Sequence, residues 1–139
     1  MKTEVLVHHL GDVQFEVKAR NHTIICDQPI ENGGFDEGMT PPEFLLASLG
    51  TCAGYYAVQY MKARNLPMEG LRIRTTADKA KAPARLTDFR IEVECPNPLD
   101  ERHREGIMRA VHACLIHNTL LHPPRIDVEV TAPAIRVAA

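Results

Sequence analysis

The sequence contains no tryptophan, and only 5% of its 139 residues are aromatic. Proteins that hold single-stranded nucleic acids use aromatic side chains on which the bases stack, so this scarcity argues against that class. An excess of charge of one sign is also missing, because 16 lysines and arginines stand against 18 aspartates and glutamates. A nucleic-acid-binding domain normally carries a basic patch. We therefore expect no nucleic-acid partner.

Long hydrophobic runs are absent too. No apolar stretch approaches the roughly 18–20 residues that a membrane-spanning helix needs. The N-terminal residues Met1–Val5 alternate in polarity instead of forming the apolar block of a secretory signal. We expect a cytoplasmic protein with no membrane partner. In a reducing compartment its four cysteines should be thiols, unless some of them serve redox chemistry. They are Cys26, Cys52, Cys95 and Cys114.

Several motifs that carry known chemistry are missing as well. The sequence has no glycine-rich phosphate-binding loop, no G-x-S-x-G nucleophile elbow and no H-E-x-x-H helix. His112, Cys114 and His117 lie close together in sequence, but the two histidines are five residues apart and point to different faces of a helix. Paired zinc ligands on a helix are three or four residues apart. We therefore expect no metal site.

What is present suffices for one folded domain over residues 1–139, since 45% of the residues are hydrophobic. Apolar residues alternate in short runs and show a helical period in two longer segments, which predicts an α+β fold of order βββ-α-ββ-α-β. The predicted strands are Val5–Val7, Val13–Lys18, Thr23–Cys26, Leu71–Thr75, Phe89–Glu94 and Ile126–Val130. The predicted helices run from Pro41 to near Asn65–Pro67 and from Asp100 to about Asn118, with a loop over 27–40 and a polar connection over 79–87.

The first helix has the clearest start signal in the chain. Thr40-Pro41-Pro42-Glu43 has the pattern of a capping box with proline at the first helical position. An apolar run follows, and four of its residues are spaced so that they share one helical face. They are Leu45, Leu49, Cys52 and Tyr56. Because the helix is apolar on most sides, we predict that it lies at the centre of the fold.

Cys52 and Cys114 are predicted on the inward faces of the two helices, the second beside Ile107, Val111 and Leu115. Both could be small core hydrophobes, which is a common place for a free cysteine, or reactive thiols. Gly50 and Gly54 each cost about 1 kcal/mol relative to alanine in a helix, so another backbone or a ligand should approach there. Glu43 could cap the helix or hold a basic group near a reactive thiol. Cys26 and Cys95 have no partner at C-x-x-C spacing and are interpreted as structural thiols.

Two segments together resemble the OsmC/Ohr family. The first is Met39-Thr40-Pro41-Pro42-Glu43-Phe44-Leu45-Leu46-Ala47-Ser48-Leu49-Gly50-Thr51-Cys52, close to the helix opening of that family. The second is Cys114-Leu115-Ile116-His117-Asn118-Thr119-Leu120, in the second helix. The predicted order of elements follows the family over nearly the whole chain.

The resemblance implies an intertwined α+β homodimer with one central buried helix per chain and sites at the subunit interface. It also implies a thiol peroxidase that acts on organic hydroperoxides without a metal or organic cofactor. By that analogy Cys52 is the peroxidatic thiolate, Cys114 is the resolving cysteine and Glu43 is the third catalytic residue. An external dithiol then reduces the resulting disulfide.

One feature departs from the family's peroxidases, in which an arginine lowers the pKa of the reactive thiol. Residues 21–61 contain no lysine or arginine. The cation would have to come from Arg20, from a strand (Arg72, Arg74 or Arg90) or from a partner subunit. The alternative interpretation is a non-enzymatic protein of the same fold that binds a small apolar ligand at the dimer interface, with the cysteines as lining.

Overall fold

The chain begins with a three-stranded antiparallel meander in the computed structural model, which describes residues 1–138. Its strands are β1 (Leu6–Gly11), β2 (Gln14–Ala19) and β3 (His22–Cys26). Val7 pairs with Val17, and Val17 pairs with Ile24, so these apolar side chains share one face of the sheet. The three strands predicted from alternation are confirmed, although β1 continues to Gly11, beyond its predicted end at Val7.

The long helix α1 (Pro41–Ala63) follows the loop after β3. Apart from Gly50, its buried residues repeat every four positions, at Leu49, Ala53, Ala57 and Met61. The predicted inward face was centred slightly differently, since Leu45 is 36% exposed and Tyr56 is half-buried. Small side chains explain the shift, because two alanines allow the neighbouring helix to pack closely against this stripe.

The strands β4 (Arg72–Lys81) and β5 (Ala84–Glu94) form a two-stranded antiparallel sheet against α1. The sequence predicted two shorter strands joined by a polar connection over 79–87, and that prediction was wrong. Lys79 pairs with Leu86 and Lys81 pairs with Ala84, so the polar residues continue the hairpin. Polar residues are stable in an antiparallel strand whose side chains reach water, and therefore they do not end it.

The two helix glycines confirm the expected close approach. A Cβ on Gly50 would lie 3.2 Å from the Thr75 side chain, and one on Gly54 would lie 3.2 Å from Ile73. The approaching element is a strand, β4. Thr75 also donates its hydroxyl hydrogen to the Leu46 carbonyl at 3.0 Å, which ties β4 to α1.

The second predicted helix is two helices, α2 (Glu101–His112) and α3 (Leu115–Leu121). Ala113 ends α2, and Cys114 has an extended backbone with φ −57° and ψ 128°. The Cys114 sulfur accepts a hydrogen bond from the backbone N–H of His117 at 3.5 Å, so Cys114 caps α3. A continuous helix over 100–118 was therefore a wrong prediction, and Leu115, expected in the core, is 64% exposed.

The core lies between α1 and α2, where Ile107 and Val111 of α2 meet the alanine stripe of α1. The segment predicted as the last strand, Ile126–Val130, pairs with no strand in the described chain. Its apolar side chains are exposed, because no described element covers them. Among residues 1–138, no helix is both long enough and apolar enough to cross a membrane.

Candidate functional site

Cys52 and Cys114 lie close together although they are far apart in sequence. Cys52 is on the middle of α1 and is half-buried, whereas Cys114 is fully buried at the junction of α2 and α3. Both are free thiols, and the Cys114 thiol is close enough to lower the pKa of Cys52. They lie close because α1 packs against both α2 and α3. The structure therefore brings together the two cysteines that the sequence singled out.

The Cys52 sulfur also accepts hydrogen bonds from the start of α3. Burial alone would raise the pKa of the Cys52 thiol, because it disfavours the charged form. Three hydrogen bonds outweigh burial and lower that pKa below its ordinary value. The donors are the Cys114 thiol and the backbone N–H groups of Ile116 and Leu115. Thiols beside a helix N-terminus commonly ionise more easily in this way.

Cys114 responds in the opposite direction. Burial raises the pKa of the Cys114 thiol, and its hydrogen bond to Cys52 raises it further. The backbone N–H groups of His117 and Ile116 act against this shift without overcoming it. The pair is therefore asymmetric, with Cys52 the better thiolate and Cys114 the thiol that stays protonated beside it.

The basic side chains that could have activated Cys52 are engaged elsewhere or exposed. Arg72 and Arg74 bind the two carboxylate oxygens of Glu94, each through its Nε at 2.9 Å. Arg20 is exposed in the turn between β2 and β3, with φ 54°. Within residues 1–138, no lysine or arginine contributes to the shift of the Cys52 pKa. In this chain, backbone N–H groups and the Cys114 thiol lower the pKa of Cys52 instead.

Glu43 lies at the start of α1 and forms the predicted helix cap. Its carboxylate accepts the backbone N–H of Thr40 at 2.7 Å. Nine residues of helix separate it from Cys52, a rise of about 13 Å along the axis. The structure thus confirms the capping interaction, while a catalytic part for Glu43 stays a prediction.

A groove of about 1640 Å³ runs beside this region. Its walls come from α1, β5, α2 and α3, and are mostly apolar with several arginines. His112 and His117 line it with their rings 5.4 Å apart at 75°, and the buried Nδ1 of His117 has no hydrogen-bond partner. Across residues 1–138, no cluster of three or more His, Cys, Asp or Glu side chains is arranged to hold a metal ion.

A second anionic group is held by backbone N–H groups before α1. Asp27 is fully buried, and its carboxylate accepts the backbone N–H groups of Gln28, Phe35 and Glu37 at 2.8, 3.1 and 3.2 Å. The Gln14 side-chain amide adds a fourth hydrogen bond at 3.2 Å. Burial alone would raise the pKa of Asp27, but these donors outweigh it and lower that pKa. Asp27 therefore holds the loop 27–38 against β2.

The sequence did not predict the N–H donors to the Cys52 sulfur or to the Asp27 carboxylate. No glycine or proline marks the break at Ala113-Cys114, and cysteine is not among the usual N-cap residues. Backbone N–H groups carry no residue identity, so their approach to Cys52 had no sequence signal. For Asp27 there was a weak sequence signal, because a carboxylate before a Gly33-Gly34 loop is typical of turns stabilised by side chains.

Comparisons with known proteins agree with this geometry. The model of the family described as OsmC-like protein matches residues 34–129, more than half of the chain. No curated protein matches the sequence significantly. Three solved structures share the fold at identities below 25%, so they are evidence of fold alone.

The first is an OsmC-like protein from Mycoplasma pneumoniae, with a TM-score of 0.72 and 21% identity over 88% of this chain and 89% of that one. The second is an organic hydroperoxide resistance protein from Legionella pneumophila, with a TM-score of 0.59 and 14% identity over 86% and 89%. The third is an organic hydroperoxide resistance protein from Elizabethkingia anophelis, with a TM-score of 0.58 and 16% identity over 86% and 87%. With the family model covering most of the fold, this chain belongs to the OsmC-like protein family.

Proposed function

We propose that the protein is a thiol-dependent peroxidase that reduces organic hydroperoxides, with Cys52 as the peroxidatic cysteine and Cys114 as the resolving cysteine. The observation that supports this most directly is the proximity of the two thiols, which lowers the pKa of Cys52 and raises that of Cys114. Two solved structures of the same fold carry names that refer to organic hydroperoxide resistance, and we extend that chemistry to this chain.

The first step is attack of the Cys52 thiolate on one oxygen of the hydroperoxide. A sulfur–oxygen bond forms, the oxygen–oxygen bond breaks, and the departing alkoxide takes a proton and leaves as an alcohol. Cys52 is oxidised to a sulfenic acid. The backbone N–H groups of Leu115 and Ile116 suit this step, because they stabilise the thiolate without covering the half-buried sulfur.

The second step joins the two cysteines. The Cys114 sulfur attacks the Cys52 sulfenic acid, a disulfide forms, and water leaves. Cys114 needs no movement across the fold to begin this step, since its thiol already lies near Cys52. An external dithiol then exchanges with the disulfide and restores both thiols. We propose that the working unit is a homodimer, as the family resemblance implies.

Glu43 takes a supporting part in this proposal. Its cap fixes the first turn of α1, the helix that carries Cys52. We assign it to positioning that helix, with no contact to the reacting atoms.

A thiol count after peroxide addition tests the proposal. One equivalent of cumene hydroperoxide added to the reduced protein should remove two free thiols, and Cys52→Ser should abolish this loss. Cys114→Ser should lose one thiol and hold a sulfenic acid. Serine at position 114 keeps an oxygen that can cap α3, so this variant should keep its fold. Cys95→Ser is the matched control, and like the wild type it should lose two free thiols after the peroxide is added.

Survival of all thiols in the wild type would contradict the peroxidase. The alternative, a non-enzymatic protein that binds an apolar ligand, would then take its place. Stabilisation of the Cys52→Ala, Cys114→Ala double variant by a fatty acyl compound in a thermal-shift titration would support that alternative.

A further inference from the structure

The external dithiol that closes the proposed cycle has to attack one of two disulfide sulfurs, and the two cysteines differ in access. Cys52 is half-buried, whereas Cys114 is fully buried at the junction of α2 and α3. Access alone would favour attack at Cys52. The choice also depends on the sulfur that leaves, because thiol–disulfide exchange is faster when the leaving sulfur is a more stable thiolate.

The leaving thiolate is better stabilised when it is Cys52. The backbone N–H groups of Leu115 and Ile116 donate to the Cys52 sulfur in the reduced protein. They are therefore in place for the negative charge that returns to this sulfur as the disulfide bond breaks. A charge returned to Cys114 would develop on a fully buried sulfur, where the loss of solvation disfavours it. Attack at Cys114 thus gives the better leaving group.

The direction of attack makes Cys114 inaccessible in the closed fold. During exchange the incoming, attacked and leaving sulfurs lie nearly in line, so the dithiol has to approach Cys114 from the side away from Cys52. Cys52 belongs to α1, which packs against both α2 and α3. Because Cys114 is 0% exposed, part of the chain around it has to move before a reductant can reach its sulfur.

The helix α3 is the element beside Cys114 that can move most easily. It is seven residues long, and none of the residues 115–121 is buried. Leu115 and Leu121, at its two ends, are each 64% exposed. A helix this short has little stability of its own. In contrast, α2 is anchored in the core by Ile107 and Val111.

Oxidation weakens the hydrogen bonds that hold the first turn of α3. In the reduced protein the N–H groups of Leu115 and Ile116 bond to the Cys52 sulfur. The N–H group of His117 donates to the Cys114 sulfur at 3.5 Å. The first N–H groups of a helix have no partner within the helix, and a disulfide sulfur is uncharged and therefore a weaker acceptor than a thiolate. We expect α3 to be less stable in the disulfide form.

We propose that the external dithiol attacks the Cys114 sulfur, that Cys52 leaves as the thiolate, and that α3 opens in the disulfide form to admit the dithiol. A bond forms between the reductant and Cys114 while the Cys52–Cys114 bond breaks, and its electron pair goes to Cys52. The second thiol of the reductant then attacks the first, so that Cys114 leaves, takes a proton and the reductant becomes a disulfide. This inference rests on the proposed function, because it concerns the disulfide that the peroxide reaction forms.

Trapping of the mixed disulfide identifies the attacked sulfur. Diamide joins the two cysteines without a hydroperoxide, and 2-mercaptoethanol at partial conversion then opens the disulfide with a single thiol. Alkylation with N-ethylmaleimide and peptide mass spectrometry should find mercaptoethanol on Cys114 and the maleimide on Cys52, about tenfold or more above the reverse pattern. The reverse pattern or an equal mixture would overturn the inference and leave the peroxidase proposal standing. Failure of diamide to join the two cysteines would contradict both.

Helix preference at an exposed position tests the opening of α3. Thr119 is exposed in this helix, and Thr119→Gly and Thr119→Ala both remove its hydroxyl. Glycine and alanine differ in helix preference enough to change the open population about fivefold. Dithiothreitol should therefore reduce the disulfide about fivefold faster in Thr119→Gly than in Thr119→Ala.

The matched control is the same pair of substitutions at Gln59, an exposed residue of α1 two turns after Cys52. Gln59→Gly and Gln59→Ala should differ less than twofold in the rate of reduction, because α1 does not open in this account. Equal rates in the two variants of Thr119, or the same ratio at both positions, would overturn the opening of α3.

Discussion

Two regions of the molecule hold an anionic group with backbone N–H donors, and they differ in how completely they do so. Asp27 is fully buried and receives four hydrogen bonds, three of them from backbone N–H groups. Cys52 is half-buried and receives two backbone hydrogen bonds and one from a thiol. In both, the donors overcome the effect of burial and lower the pKa.

The difference separates a structural anion from a reactive one. A carboxylate whose acceptor positions are filled and whose surface is closed fixes the loop before α1 and has no access to a substrate. The Cys52 thiolate is stabilised by neighbours on one side and remains accessible on another. Its third donor, Cys114, is itself a group that can react with it. The same physical device thus gives rigidity in one place and chemistry in the other.

The largest expected effect is the loss of turnover when Cys52 is replaced. Cys52→Ser should abolish hydroperoxide turnover in an assay coupled to a dithiol reductant, because an alcohol is not ionised near neutral pH. The Asp27 region should be untouched, so the thermal midpoint should stay within a few degrees of wild type. Turnover retained in Cys52→Ser would show that Cys52 is not the thiol that reacts with the hydroperoxide.

The next largest effect is the loss of thermal stability when Asp27 is replaced. Asp27→Asn keeps the shape of the side chain but removes its charge and turns one acceptor into a donor that faces N–H groups. We expect the thermal midpoint to fall by about 5–10 °C. The rate of Cys52 alkylation should change less than twofold, which differential scanning calorimetry and iodoacetamide kinetics can check together. A normal midpoint would show that the buried carboxylate does not hold the loop.

The same carboxylate predicts a pH dependence of stability. Its folded-state pKa is lowered, so its contribution is present above the unfolded pKa of about 3.9 and is lost as the pH falls through the folded value. Wild type should therefore lose stability in acid more steeply than Asp27→Asn. Chemical unfolding from pH 6 down to about pH 2 measures both slopes, and parallel slopes below pH 4 would contradict the assignment.

The smallest effect should come from Glu43. Glu43→Ala removes the hydrogen bond to the Thr40 N–H, and should lower the free energy of unfolding by about 0.5–1 kcal/mol. Turnover should remain within twofold of wild type, because Glu43 lies at the far end of the helix segment from Cys52. A tenfold loss of turnover in a folded variant would instead show that Glu43 takes part in the reaction.

Much of this comparison could be predicted from the sequence, although not its decisive part. The capping box and apolar spacing predicted α1, and Gly50 and Gly54 predicted the close approach of another element. The break at Cys114 was not predictable, because no residue there ends a helix by its own preference. Without that break, Leu115 and Ile116 would have no free N–H groups for Cys52, since helix-interior N–H groups bond within the helix.

The polar half of the β4–β5 hairpin was missed for a different reason. Its residues reach water on both strands, so hydrophobic alternation disappears while backbone pairing continues. In the segment 126–130 the hydrophobic alternation is present, but the backbone pairing is not. Ile126, Val128 and Val130 alternate as a strand does, but the described chain offers them no paired edge. Pattern alone identifies a strand and leaves its partner open.

The central claim is that backbone donors at the start of α3 activate Cys52, and one substitution tests it. Leu115 is exposed and occupies the first position of α3, where proline is tolerated, and the φ and ψ of Cys114 suit a residue before proline. Leu115→Pro therefore deletes one N–H donor and should leave the helix in place. Leu115→Ala keeps that donor and is the control.

The measurement is the pH dependence of Cys52 alkylation in the two variants, with the labelled residue identified by mass spectrometry. The account predicts that the pKa of Cys52 rises in Leu115→Pro, because one N–H donor that stabilises the thiolate is lost, and that it stays at the wild-type value in Leu115→Ala. An equal pKa in both variants and the wild type would contradict it.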